Sequence, residues 1–206
     1  MQFIDLQMIN WQDAYDIQCR TVSEIADQIS AETVHLLEHP HVFTVGRRGL
    51  EYNLLVDRDL DGNPISIVRI NRGGDITYHG PGQLVGYPHF DLRQRGRDLH
   101  QFLRGLEEVL IRTAAEFNVE GFRRKGLTGV WTSEGKLASI GVGVRQWITM
   151  HGFALNVSTD LRYFDLINPC GIPDCTMVSL EALTGSRIEM NEVKTEVRKQ
   201  FETVFG

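Results

Sequence analysis

Gly129–Thr132, Lys136–Val144 and Ile148–Val157 read as three strands in direct succession, with no helical pattern between them. That run breaks any regular βαβ period. It is framed by two strong helical patterns. Asp98–Phe117 places Leu99, Phe102, Leu106, Val109 and Leu110 on one stripe, and Asp98 with Gln101 resembles a capping box. Glu192–Val204 turns Val193, Val197 and Phe201 inward behind Asn191 as cap. Upstream, Met1–Leu6 alternates like a short strand. Trp11–Ser30 then reads as an amphipathic helix capped by Asn10, with Trp11, Tyr15, Val22, Ile25 and Ile29 on its apolar face. Thr33–Leu37, Val42–Val45 and Ile65–Ile70 complete the strands. Elements interleaved in this way predict the α+β class.

At 206 residues the chain suits one domain, residues 1–206. With 42% hydrophobic and 23% charged residues, a sizeable core is expected and disorder is not. A net charge of −6 argues against nucleic acid as the main partner. No apolar run approaches the length of a membrane span. The acidic N-terminus lacks the basic start of a targeting peptide. Three cysteines do not make a disulfide framework, so reduced thiols in the cytoplasm are expected.

Candidate chemistry gathers in three stretches. Asn168 to Leu180 holds Cys170 between a proline and a glycine, a turn that presents a thiol on a loop. A free thiol is only slightly ionised at neutral pH, and a nearby cation raises the reactive fraction. Thr128 to Val144 supplies Lys136 at the edge of an apolar strand. Desolvation would make that amine usable as a base, although a solvated surface charge fits the spacing equally. Arg72 to Pro88 carries five glycines, His79 and Gln83. It lacks phosphate-loop and dinucleotide spacing, and is either a ligand wall or a set of tight turns. His39 and His41 flank a proline without further metal-ligand types at ligand spacing, so a strand-linking turn is expected and no metal. Cys19 reads as a core residue and Cys175 as a bystander.

Taken together, RGGDITYHGPGQLVGYP, GKLASIGVGVRQWITMHGFALNV and INPCGIPDCTMVSL resemble, in this order, the lipoyl(octanoyl) transferases. The resemblance covers Arg72 to Leu180. It implies the fold of the biotin and lipoate protein ligases: a mixed sheet with packed helices plus a smaller sheet. It implies octanoyl transfer from octanoyl-acyl carrier protein to a lysine of lipoyl domains, the first step of protein lipoylation. The acceptors would be lipoyl domains of 2-oxoacid dehydrogenase complexes and the glycine cleavage H protein. No cofactor or ATP is implied, because the thioester is already activated.

By this resemblance Cys170 is the acyl-thioester nucleophile, and Lys136 activates the thiol and shuttles protons. The acyl-substrate wall would be Arg72, Gly73, Gly74, Asp75, Ile76, Thr77, Tyr78 and His79, with Ser139, Ile140, Gly141, Gly152, Phe153 and Ala154. Backbone N–H groups near Gly171, Thr77 or His79 are oxyanion candidates. Docking an acidic carrier on a net-negative chain calls for a basic patch, either Arg93, Arg95, Arg97 and Arg104 or Arg123, Arg124 and Lys125. The rivals are an ATP-dependent ligase, a cysteine hydrolase using His79 or His151, and a non-catalytic lipoyl-binding module.

Overall fold

Apolar strands need cover on both faces, and the helices supply it. The computed structural model describes residues 1–49, 53–56, 58–169 and 175–206. Its strands are β1 (Gln2–Met8), β2 (Thr33–Glu38), β3 (Val42–Val45), β4 (Ser66–Arg69), β5 (Ile76–His79), β6 (Gln83–His89), β7 (Phe122–Arg124), β8 (Leu127–Trp131), β9 (Lys136–Arg145) and β10 (Ile148–Asn156). The helices are α1 (Trp11–Ala26), α2 (Leu99–Glu116), α3 (Leu180–Thr184) and α4 (Met190–Phe205), with a 3₁₀ turn at Leu161–Leu166. Among the described residues the strands form two sheets, ordered β1-β2-β6-β10-β9-β8-β7 and β4-β3-β5. The class is α+β, with a larger and a smaller sheet.

Period-two alternation sorts the large sheet's side chains. Leu84 of β6 and Leu155 of β10 face α2 and α4, where they meet Leu106, Leu110, Val197 and Phe201. Val85, Tyr87 and Ala154 face the other way, against Ala14 of α1. Ile148 and Met150 extend that layer under Val22 and Ile25. The small sheet has its own core of Phe43, Ile76 and Tyr78 against Tyr163 and Phe164 of the 3₁₀ turn.

Side-chain caps start two of the four α-helices, α2 and α3. The Asp98 carboxylate accepts from the Gln101 N–H at 2.9 Å and starts α2 as expected. Asn10 occupies the cap position of α1, but its side chain makes no capping hydrogen bond. That helix stops at Ala26 rather than Ser30. Gln28 adopts φ +60°, and Ile29, expected inward, is 76% exposed beyond the end. α4 begins at Met190 behind Glu189, so Asn191 lies inside the first turn rather than capping it. No helix of the described residues is long and apolar enough to cross a membrane.

Candidate active site

Lys136 is buried, with 2% of its surface exposed. Its backbone is tied on one side to the third stretch: its N–H donates to the Thr176 carbonyl at 2.9 Å, and its carbonyl accepts from the Val178 N–H at 3.1 Å. On the other side β9 pairs with β8. There the register shifts from Val130 opposite Ala138 to Trp131 opposite Lys136. This bulge places an extra residue in β9 and re-aims the lysine. Its Nζ lies 5.5 Å from the centre of the Trp131 ring. The surface charge left open by the sequence is therefore an internal amine.

Cys170, Gly171 and the rest of residues 170–174 lie outside the described residues. Their described flanks are anchored. Upstream, the Asn168 N–H donates to the Asn53 carbonyl at 2.8 Å, and Asn53 Nδ2 donates to Asp75 Oδ2 at 2.8 Å. Downstream, Thr176–Val178 pairs with Lys136. The third stretch thus joins the first through Asn53 and Asp75, and the second through Lys136.

Two cavities share one wall, made of Gly74, Asp75, Ile140 and Gly141. The first is a partly open recess of about 490 Å³, counted together with the solvent at its mouth. Arg72, Thr77, His79, Ser139, Gly152, Phe153 and Ala154 line it with that wall, as do Trp11, Tyr87 and His151. The second is an open cleft of about 1230 Å³, bordered by Lys136, Gly73, Arg48, Leu103 and Thr128. Ile76 and Tyr78 do not border either cavity. They alternate with Thr77 and His79 along β5 and point into the small-sheet core. Gly141 permits the shared wall, because a Cβ there would sit 2.8 Å from the Gly73 carbonyl oxygen. Gly73 is pinned in turn by donating to the Val142 carbonyl at 2.9 Å.

Polar groups beneath the first cavity form a directed chain. Arg72 is buried and donates to the Thr44 carbonyl at 2.7 Å and to Thr44 Oγ1 at 3.0 Å. Gln83 Nε2 donates to Asn156 Oδ1 at 2.9 Å, so Gln83 Oε1 accepts from His79 Nδ1 at 2.8 Å. His79 Nε2 is then free to accept from the Thr44 hydroxyl at 3.2 Å. Asn156 Nδ2 ends the chain on the Val178 carbonyl at 3.0 Å. Burial pushes His79 down to about 3, helped by neighbouring His39 and Arg72, so its ring is neutral. Burial also holds His151 at about 3, with Arg72 adding to the effect, and its Nε2 meets Asn71 Oδ1 at 2.6 Å. Thr77 and His79 belong to β5, opposite Thr44 and Val42 of β3. The His39 ring bridges the Ile9 carbonyl and the Tyr87 hydroxyl, as a structural turn histidine should.

Of the nominated basic patches, four arginines are held by carboxylates. Arg93 pairs with Asp91, Arg95 with Glu32, Arg104 with Glu107, and Arg123 with Glu107 and Glu108. Arg97 stacks over Trp147 and Arg124 over Trp131. Sequence reasoning missed Glu107, Gly129, Trp131, Asn53 and Asn156. Gly129 carried a signal, since an isolated strand glycine marks close backbone approach.

A buried amine bordering a cleft, on a mixed sheet backed by two helices and joined to a second small sheet, defines a class of catalytic domain. The chain belongs to the lipoyl protein ligase A/B catalytic domain family, whose pattern matches residues 10–202. It is 55% identical over 202 residues to an octanoyltransferase of Geotalea uraniireducens, covering 98% of this chain and 92% of that one. Identity to an octanoyltransferase of Syntrophotalea carbinolica is 54% over 204 residues, covering 99% and 94%. Within the family, then, this is an acyltransferase of the lipoyl(octanoyl) transferase type. The fold is shared more widely. A bi-partite lipoate protein ligase of Thermoplasma acidophilum, studied with its E2 lipoyl domain, superposes with TM-score 0.68 at 16% identity, covering 98% of this chain and 82% of that one. Biotin protein ligase from Aquifex aeolicus gives 0.55 at 14%, covering 98% and 68%.

Proposed function

We propose that this protein moves an octanoyl group from octanoyl-acyl carrier protein to a lysine of a lipoyl domain, by way of a thioester on Cys170. The observation that carries the reading is the burial of Lys136 beside the backbone of Thr176–Val178, a few residues downstream of Cys170 in the sequence. Lys136 accepts the thiol proton. The thiolate attacks the thioester carbonyl carbon, the bond to the carrier sulfur breaks, and the departing thiolate takes the proton back from Lys136. An acceptor ε-amine then attacks the acyl-enzyme. The Cys170 sulfur leaves, and the proton lost by the amine passes through Lys136 to that sulfur. Acyl carbon, sulfur and protons balance without a nucleotide or a metal.

The first cavity suits the acyl chain. Ile140, Phe153 and Trp11 offer apolar wall, and eight carbons at about 0.8 kcal/mol per methylene give several kcal/mol of binding. Neighbouring chain lengths would differ only modestly. Acceptors would be lipoyl domains of 2-oxoacid dehydrogenase complexes and the glycine cleavage H protein, met in the cytoplasm.

Mixing the protein with octanoyl-acyl carrier protein and measuring intact mass tests the proposal. One octanoyl adduct is expected, mapped to Cys170, labile to hydroxylamine and passed on to a lipoyl domain without ATP. A Cys170→Ser protein that still transfers at the wild-type rate would remove the thioester step. Transfer only when ATP and free acid are supplied would make the protein a ligase.

A further inference from the structure

Glu107 is an unusual residue for its place. It sits on the apolar side of α2 with 0% exposure, yet it is a carboxylate. Its Oε2 accepts from Arg104 at 2.6 Å and from Arg123 at 3.1 Å, and both arginines reach in from the surface. Stability alone does not call for such a group, because a well-packed apolar residue commonly serves a core as well as a buried ion pair. The remaining oxygen is the informative one. Glu107 Oε1 accepts from the backbone N–H of Gly129 at 3.1 Å.

Gly129 is where the lysine stem meets β8. Its φ of +130° is one that residues with a Cβ rarely adopt. A Cβ there would lie 2.5 Å from the Ala138 carbonyl oxygen, 2.9 Å from Lys136 Cε and 3.6 Å from Lys136 Nζ. The bare backbone of Gly129 is thus the wall along which Lys136 runs. Trp131, two residues on, closes the same side. The opposite side is fixed by the ladder to Thr176 and Val178. The β8 wall depends on a side chain from another element, Glu107, through the Gly129 N–H.

We propose that Glu107 is a positioning residue for Lys136: its carboxylate fixes the Gly129 N–H and so holds the wall that sets where the lysine amine sits. Arg104 and Arg123 keep the carboxylate compensated and aimed. The proposal rests on the reading of Lys136 as proton acceptor.

A double-mutant cycle tests it. Glu107→Leu in the otherwise native protein should lower kcat for octanoyl transfer about 10²-fold, the cost of misplacing a reacting group by about 1 Å, with KM for the donor shifting far less. In a Lys136→Ala background the same change should cost under about threefold, because the group it positions is gone. Glu107→Gln keeps an oxygen for the Gly129 N–H and should recover most of the lost rate. If the leucine variant does not fold, Glu107→Asp shortens the reach to Gly129 and serves in the same cycle. A second readout does not use activity: acetylation of Lys136 by acetic anhydride, followed by mass spectrometry against exposed Lys199, should change several-fold in the leucine or aspartate variant. Equal losses in both backgrounds, a glutamine variant as slow as leucine, or unaltered Lys136 labelling would each overturn the proposal. A fully active Lys136→Ala protein would instead overturn the proton-acceptor role, and the labelling would still decide the positioning.

Discussion

Five buried histidines make this fold sensitive to mild acid. Burial holds His35 and His39 at about 4 and His79, His89 and His151 at about 3, all far below the ordinary imidazole value. Unfolding exposes each ring to water, where it titrates near 6.5. Between about pH 4 and 6.5 the unfolded chain therefore binds protons that the native chain does not. Stability is complete above pH 6.5 and is lost progressively as pH falls toward the native values. At pH 5.5 each ring costs RT ln(1 + 10), about 1.4 kcal/mol, or about 7 kcal/mol for the five. A domain of this size has about 5–15 kcal/mol to lose. Asp91 and Glu108 do not blur that window. Arg93 holds Asp91, and Arg123 and Arg112 hold Glu108, below the usual carboxylate range, so their contribution is lost only at lower pH. Urea unfolding followed by circular dichroism at pH 7.5, 6.5 and 5.5 should show the midpoint collapsing across the last interval. The limiting slope should approach five protons, about 7 kcal/mol per pH unit. His35 Nδ1 has no hydrogen-bond partner among the described residues, so His35→Phe should remove one proton from the slope. Stability that stays flat from pH 7.5 to 5.5 would refute the assignment of these rings as neutral and buried.

Other expected outcomes follow from single contacts. Asp98→Ala removes the cap of α2 and should cost about 1 kcal/mol in urea unfolding, without altering donor KM. Gly141→Val forces a side chain against the Gly73 carbonyl and into the wall between the two cavities, and should abolish octanoyl transfer while circular dichroism still reports the fold. Ser139 Oγ is buried without a partner among the described residues, so Ser139→Ala should leave thermal stability unchanged or raise it by up to about 1 kcal/mol. Arg93→Glu breaks a pair with Asp91 instead of removing a free docking charge, and should lower stability while leaving the salt dependence of carrier binding unchanged.

Much of this architecture was legible in the residues. α2 announced itself through its stripe and cap, and β8, β9 and β10 read as three strands in succession. The three chemical stretches do converge where described, joined by Asn53, Asp75 and Thr176–Val178. What could not be read is direction. Whether Lys136 points into water or into the protein depends on a one-residue bulge opposite Trp131, and a bulge leaves no periodic trace in β9. Ile76 and Tyr78 were grouped with their neighbours as wall residues, but strand alternation sends them into the small-sheet core. Arg104 and Arg123 looked like docking charges because their partner, Glu107, sits where an α2 stripe would carry an apolar residue. A carboxylate at a stripe position with arginines in reach is itself a signal, since such a charge is buried only when paired.

The wall shared by the two cavities has a consequence for specificity. Gly74, Asp75, Ile140 and Gly141 touch both the cavity proposed for the acyl chain and the cleft that Lys136 borders. Asp75 is held by Asn53, and Asn53 by Asn168, so the same wall is braced against the segment that precedes Cys170 in the sequence. If the acyl chain occupies the first cavity as proposed, one that fills it presses on this wall and one that leaves it partly empty does not. Chain length should therefore act on the rate of the chemical step as well as on binding. An octanoyl donor should exceed a hexanoyl donor in kcat, and Ile140→Ala, which enlarges both spaces, should shrink that kcat difference more than it shrinks the difference in KM. Identical kcat values for six- and eight-carbon donors would mean that the wall is inert and that length is read by affinity alone.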